Sequence, residues 1–374
     1  MTRLDAQIAF LTEADKLKSV DRANVLMDLS RRENTAEHSW HVALFGMVFG
    51  ASDRALAMIL LHDLVEIDAG DQPIFLDHDV AALQAAETAC ADRLFSMLPA
   101  DGPDYAALWR EFEAGLSVDA AMARRMDHVQ PLFQVLCAPA PLDDHMRIAA
   151  QMLADGRVAR MRGEWPQVYQ AAQALMSGAQ VAGDLGRRLA FLAEADRLKT
   201  VLRAGRIHDG RRENSAEHSW HLALYALVLA EHAAPGVDIG RVIRMLLIHD
   251  LVEIDTGDVP IHSAGGQAHH GAAQMDAEAM AAARIFGLLP AAQAADFRAL
   301  WDEFEAAASP DAIFAKALDR VQPVVLNLAA GGGTWAEYSV TMAQLDQRVG
   351  AQVQRGLPGI WPLLRDRAAA YLCA

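Results

Sequence analysis

Cysteine is scarce: three in 374 residues, Cys90, Cys137 and Cys373, at positions that neither pair nor recur. That argues against a disulfide framework and for a reducing compartment. Basic residues are outnumbered, 33 Lys and Arg against 49 Asp and Glu, for a net charge of −16. So acidic a balance disfavours general affinity for a nucleic-acid backbone or an anionic membrane surface, though a local arginine pair can still hold a small anion. Long apolar runs are missing too. None approaches the roughly 20 residues needed to span a bilayer, and the opening Met1-Thr2-Arg3-Leu4-Asp5-Ala6-Gln7 carries no apolar signal core. These absences predict a cytoplasmic protein with neither membrane nor nucleic-acid polymer as partner. Runs of β-branched alternation are few, while Ala-rich stretches with apolar residues three and four apart fill the chain, so the expected class is all-α.

What is present is present twice. Arg31-Arg32-Glu33-Asn34-Thr35-Ala36-Glu37-His38-Ser39-Trp40-His41 returns as Arg211-Arg212-Glu213-Asn214-Ser215-Ala216-Glu217-His218-Ser219-Trp220-His221. Downstream, His62-Asp63-Leu64-Val65-Glu66-Ile67-Asp68-Ala69-Gly70-Asp71 returns as His249-Asp250-Leu251-Val252-Glu253-Ile254-Asp255-Thr256-Gly257-Asp258. Helix packing alone does not require histidines and carboxylates to recur in this way. A duplicated chemical module does. Each copy opens with an amphipathic stretch, Leu4 to Val20 and Leu185 to Val201, sharing Ala-Phe-Leu, Glu-Ala-Asp and Leu-Lys, and closes near Trp165-Pro166 or Trp361-Pro362. The small-residue segment Ser177 to Gly186 marks the junction, giving domains 1–180 and 181–374.

Asn34 with Glu37, and Asn214 with Glu217, have the spacing of a helix N-cap and its reciprocal acid, which predicts helices from there to about Phe49 and Glu231. The next helix is expected over Arg54 to Asp68 and Arg241 to Asp255, ended by Gly70 and Gly257. A third pair carries Asp127 and Asp319 among the apolar neighbours Met126, Val129, Leu318 and Val321, with Pro131 and Pro323 expected to bend or end it. Such neighbours point to burial, which an unpaired carboxylate resists. One imidazole from the first helix, an imidazole and adjacent carboxylate from the second, and a carboxylate from the third supply two nitrogens and two oxygens, a mixed set that suits Mn, Co, Fe, Ni or Zn better than Ca.

The ordered residues His38, His62-Asp63 and Asp127, then His218, His249-Asp250 and Asp319, resemble the signature of the HD-domain metal-dependent phosphohydrolases, and more narrowly the YfbR-like 5'-deoxynucleotidases and HD-domain-containing relatives. The resemblance implies two tandem all-α bundles paired as an intramolecular pseudo-dimer, open to further homo-oligomerisation. It also implies one divalent ion per repeat (Mn, Co, Ni, Fe, Zn or Mg) and hydrolysis of a small phosphorylated substrate, a nucleoside 5'-monophosphate. Another HD-type hydrolase, a phosphodiesterase or triphosphohydrolase, and a nucleotide-sensing non-catalytic protein are the alternatives.

Glu66 follows His62 by four residues and Glu253 follows His249 likewise, so each shares a helix face with the ligands and can orient water or move a proton. Asp71 and Asp258, just past the helix-ending glycine, are candidate acids for the leaving oxygen. In the resembling deoxynucleotidases an arginine at the position of Arg22 and Arg203 contacts substrate; Arg31 and Arg211 are candidate second donors, with Glu33 and Glu213 as alternative ion-pair partners. Those enzymes place a Trp directly after the first arginine. Here Ala23 and Ala204 stand instead, which leaves the sugar preference open. His41 and His221 invite a second metal, yet no extra carboxylate cluster was found repeating beside them; His269-His270 occur once and are read as a solvated loop; Trp40, Trp109, Trp220 and Trp301 are read as core. The copies differ over Phe75 to Val80 against His262 to Gly271, where access and specificity are expected to part.

Overall fold

The computed structural model describes residues 2–72, 79–155, 157–263 and 271–372. Two stretches on which the sequence reading placed the copies' divergence, most of Phe75 to Val80 and His262 to Gly271 with His269-His270, lie outside the described residues. The chain is helical almost throughout. Each half runs in the same order: an opening helix (Arg3–Ala14, Gly183–Ala195), a 3₁₀ turn (Asp15–Ser19, Asp196–Thr200), a small hairpin, and then the helices that carry the repeated motifs. The hairpins, Asp21–Val25 with Arg32–Asn34 and Leu202–Arg206 with Arg212–Asn214, are antiparallel and too short to have left an alternation in the sequence. Among the described residues no helix is long and apolar enough to cross a membrane.

The helices Thr35–Val48 and Ser215–Val228 form the centre of the molecule and pack against one another. All 14 residues of the first are buried, which explains why its sequence lacks a polar stripe: a helix enclosed on every side needs none. Each begins with the expected capping box, Asn34 with Glu37 and Asn214 with Glu217. The caps also join the two halves. Asn34 Nδ2 donates to Glu217 Oε2 at 2.8 Å, and Asn214 Nδ2 donates to Glu37 Oε2 at 2.7 Å. Indoles cross in both directions as well: Trp40 Nε1 donates to the Leu247 carbonyl (2.9 Å) and Trp220 Nε1 to that of Leu60 (3.2 Å), each in the last turn of a helix, where carbonyls lack intrahelical partners. One hydrophobic core runs through both halves. Asn34→Ala removes a cap and takes from the buried Glu217 Oε2 of the opposite half one of its two hydrogen bonds, leaving that of Arg211, so it is expected to lower unfolding free energy by roughly 2–4 kcal/mol in a urea titration. A loss below that of an exposed cap would show that the crossing bond contributes nothing.

One expectation needs correction and one is narrowed. The helix expected over Arg54 to Asp68 is broken: Asp53–Leu61 is α-helical, His62–Val65 tightens to 3₁₀, and Glu66–Ala69 closes as a single α turn, with the same break at His249–Val252. The indoles of Trp109 and Trp301 hold that break, donating to the carbonyls of His62 (3.1 Å) and His249 (3.2 Å). Tryptophans read as core filling therefore also fix the backbone of His62 and His249. Pro131 and Pro323 do not end their helices, which run Val118–Leu136 and Pro310–Ala329. Each proline removes only the amide that would have bonded the carbonyl four residues back, that of Asp127 or Asp319.

Candidate metal centres

In the first half, His38 comes from the first turn of the central helix, His62 and Asp63 from the 3₁₀ break, and Asp127 from the middle of Val118–Leu136. One ligand atom from each of His38, His62 and Asp63 lies within 4.8 Å of the others, and His218, His249 and Asp250 repeat the arrangement. Asp127 Oδ1 is 3.3 Å from His38 Nε2 and 3.7 Å from His62 Nε2; Asp319 Oδ1 is 3.3 Å from His218 Nε2.

The histidine tautomers test the fit to a cation. His62 Nδ1 lies 2.7 Å from the Ile59 carbonyl and His249 Nδ1 2.8 Å from that of Leu246, so each Nδ1 carries a proton and the ring turns Nε2 toward the cluster. Both Nε2 atoms are buried without a hydrogen-bond partner. His62 Nε2 instead faces Asp63 Oδ2 at 3.1 Å, and His249 Nε2 faces Asp250 Oδ1 at 3.1 Å. A buried ring nitrogen facing a carboxylate needs positive charge between them, either a second proton on the ring, which burial opposes and the Asp63 charge favours at His62, or a bound cation. Two imidazole nitrogens and two carboxylates per half thus fit a divalent transition ion.

The flanking residues converge on the same spot. Arg22, on the hairpin, directs Nη1 at Asp63 (3.1 Å), Asp71 (3.3 Å) and Glu66 (3.5 Å); Arg203 reaches Asp250 at 2.6 Å and both Glu253 and Asp258 at 3.5 Å. Glu66 Oε2 accepts from Thr35 Oγ1 at 2.8 Å, and Glu253 from Ser215 Oγ at 2.5 Å. Burial, followed by the charge of Asp63 or Asp250, pushes both glutamates well above the usual carboxylate range. Asp71 and Asp258 are brought in by Gly70 and Gly257, whose φ of 71° is open to glycine at little cost. Burial raises Asp258 as well, ahead of the neighbouring Asp250 charge and against Arg203.

Arg31 and Arg211 stand apart from these clusters. Each pairs in a bidentate fashion with the capping glutamate of its own half, Glu37 or Glu217, and donates to the backbone carbonyl of Lys199 or Lys18 from the other half. Their guanidinium groups fasten the seam, and the partner is the cap acid rather than Glu33 or Glu213. The halves also differ: Arg320 Nη1 holds Asp319 Oδ2 at 3.0 Å, whereas His128 follows Asp127.

A second buried cluster adjoins each centre. Glu33, His41 and Asp196 bring ligand-type atoms within 4.8 Å of one another, the arrangement that His41 suggested for a second metal. Its interior is taken by the ammonium of Lys199, which lies 2.7 Å from Glu33 Oε1, 2.9 Å from Gln134 Oε1 and 3.0 Å from His41 Nδ1, and which also bonds Asp196. In the other half Lys18 meets Glu213 (2.6 Å), Asp15 (2.7 Å) and His221 Nδ1 (2.9 Å). Burial and the lysine charge depress His41 and His221 well below the usual histidine range, so both rings are neutral. Each accepts at Nδ1 and donates Nε2–H to a carbonyl of the opposite half, Leu192 or Leu11. The sequence alone did not single out Lys18, Lys199, Glu33 or Glu213 as a buried cluster, although the duplicated Glu-Ala-Asp, Leu-Lys and Arg-Arg-Glu-Asn blocks held the signal.

The HD domain family model matches the chain twice, over residues 14–169 and 195–361. The human 5'-deoxynucleotidase HDDC2 is 30% identical over 156 residues, covering 41% of this chain and 72% of that protein. The 5'-deoxynucleotidase yfbR of Photorhabdus temperata is 27% identical over 168 residues, 43% of this chain and 84% of the relative. A crystal structure described as a predicted metal-dependent phosphohydrolase from Magnetospirillum magnetotacticum MS-1 is 46% identical and covers 50% of this chain and 92% of its own, with a TM-score of 0.47.

Proposed function

This chain belongs to the HD domain family, carried in two copies, and on that premise we propose that each copy is a metal-dependent phosphohydrolase centre acting on a small phosphomonoester, a nucleoside 5'-monophosphate by preference. We take the copies as 1–180 and 181–374, related as an intramolecular pseudo-dimer. The observation that carries the reading is the pair of buried, partnerless Nε2 atoms, His62 and His249, each facing carboxylates in a cluster that also holds a glutamate and an arginine. The nucleotide preference rests on the 5'-deoxynucleotidases similar to this chain.

His38, His62, Asp63 and Asp127, and their counterparts His218, His249, Asp250 and Asp319, would hold the ion. A divalent ion bound there supplies a water acidified toward neutrality and offsets charge on a phosphoryl oxygen. Glu66 and Glu253, held by Thr35 and Ser215, accept the proton of the attacking water, and burial raises their affinity for it. Arg22 and Arg203 donate to phosphoryl oxygens, exchanging part of their carboxylate contacts for the substrate. Asp71 and Asp258, each sharing the Arg22 or Arg203 guanidinium with the glutamate of the same copy, pass the proton it took up on to the leaving 5'-oxygen, which leaves both carboxylates as they began.

The reading is tested by stripping the chain of metal, restoring Mn, Co, Mg, Ni or Zn one at a time, and measuring phosphate release from ribo- and deoxyribonucleoside 5'-monophosphates. Metal-dependent release from several of these is expected. Silence across the whole panel with metal bound would overturn it in favour of a sensor or another HD-type hydrolase.

A further inference from the structure

We propose that Lys199 and Lys18 are positioning residues for the metal centre of the opposite copy, so that each centre is completed by a cation from the other half of the chain. The proposal rests on the reading of the two clusters as metal centres. Lys199 sits on the 3₁₀ turn Asp196–Thr200 of the second copy, but three of its four partners, Glu33, His41 and Gln134, belong to the first. Lys18 sits on the turn Asp15–Ser19 of the first copy and reaches Glu213 and His221 of the second. Neither lysine has any measurable side-chain exposure.

The contact continues to the ligands. Glu33 holds Lys199 with Oε1 and turns Oε2 toward His38 Nδ1 at 3.4 Å; Glu213 turns Oε2 toward His218 Nδ1 at 3.2 Å. On the far side of the ring, His38 Nε2 faces Asp127 and Asp63 at 3.3 and 3.8 Å. A ligand imidazole is oriented, and its metal-binding nitrogen made more basic, by a carboxylate on its other nitrogen. Such a carboxylate is effective only while it stays ionised and fixed, and a buried carboxylate needs a cation to do so. Arg22 Nε, at 4.0 Å from Glu33 Oε2, is the only other cation near that oxygen among the described ion pairs. Lys199 therefore acts on His38 through Glu33, and Lys18 on His218 through Glu213. The turns are pinned across the seam by a second pair of contacts: Asp196 Oδ2 accepts from the Met27 amide and Asp15 Oδ2 from the His208 amide, both at 2.9 Å.

The test is a crossed metal titration on the full chain, with free Mn(II) counted by electron paramagnetic resonance. In a His249→Ala/Asp250→Ala background only the first centre binds, and Lys199→Met is expected to weaken it about 10- to 100-fold. In a His62→Ala/Asp63→Ala background only the second centre binds; there Lys199→Met leaves affinity within about twofold, while Lys18→Met weakens it about 10- to 100-fold. A lysine that merely stabilised its own copy would give the opposite pattern. If Lys199→Met does not fold, the charge-balanced Lys199→Met/Asp196→Asn replaces it. Adding Lys199→Met to Glu33→Gln should then cost little further, since both act on the same ring. Equal loss at both centres, loss only at the lysine's own centre, or no loss overturns the proposal. Absence of Mn(II) binding by the unmutated chain would instead overturn the metal-centre reading beneath it.

Discussion

His62→Ala combined with His249→Ala is expected to bring phosphate release to background, a loss of at least about 10³-fold. Lewis-acid stabilisation at a phosphoryl centre amounts to several kcal/mol, and roughly 4 kcal/mol corresponds to that factor. Each histidine presents Nε2 by holding its Nδ1 proton on a carbonyl of the preceding helix turn, so alanine removes a ligand oriented in advance and leaves the facing aspartate unbalanced. The single variants are more informative. Each should halve the bound metal per chain and retain the activity of the intact copy, because the lysine contacts that cross the seam do not involve His62 or His249. Complete loss from either single change, with the other ion still bound, would end the view that the two centres turn over independently.

Much of this was legible in the sequence because the duplication filters chance. A lone His-Asp pair means little. The same pair recurring after Glu-His-Ser-Trp-His and before Gly-Asp, in the same order, singles out the residues that chemistry keeps. The capping boxes were legible for a local reason: Asn34 and Glu37 are three residues apart and bond within one helix turn. The 3₁₀ break at His62 was not, since the apolar pattern Met58-Ile59-Leu60-Leu61-His62-Asp63-Leu64-Val65 suits a continuous helix. What breaks it comes from elsewhere in the fold: indoles that take the freed carbonyls, Trp109 from its own half and Trp220 from the other.

The crossing contacts were illegible for the same reason. Nothing in the residues around Arg31 points to the contact it makes with a carbonyl 168 residues away, beside its pair with Glu37. Leu-Lys at the end of an amphipathic stretch names no partner for its lysine, and only the fold carries Lys199 166 residues back to Glu33. Periodicity reports which face of a helix is buried, not which copy of the repeat buries it. In a chain whose halves exchange their opening turns, the groups that support a centre lie in the wrong half of the sequence for spacing to reveal them.

Glu66→Gln with Glu253→Gln is expected to lower kcat by about 10²- to 10⁴-fold while leaving metal content at the unmutated level, the range typical of losing a positioned general base. The side chain is nearly isosteric, and its amide can still take the hydrogen bond that Thr35 or Ser215 donates, so the geometry of the cluster should survive. What disappears is the ability to accept a proton. Burial and the adjacent Asp63 or Asp250 charge make each glutamate a stronger proton acceptor than a solvated one, and that capacity would be idle in a group that only braced a ligand. The two roles separate in the measurement. A bracing residue would lose metal affinity and turnover together, and restoring saturating metal would recover the rate. A base would lose turnover with the metal in place, at any metal concentration, and the variant would still bind nucleotide with nearly unchanged affinity. Recovery of the rate by added metal would remove Glu66 and Glu253 from the chemistry and leave proton transfer to Asp71 and Asp258.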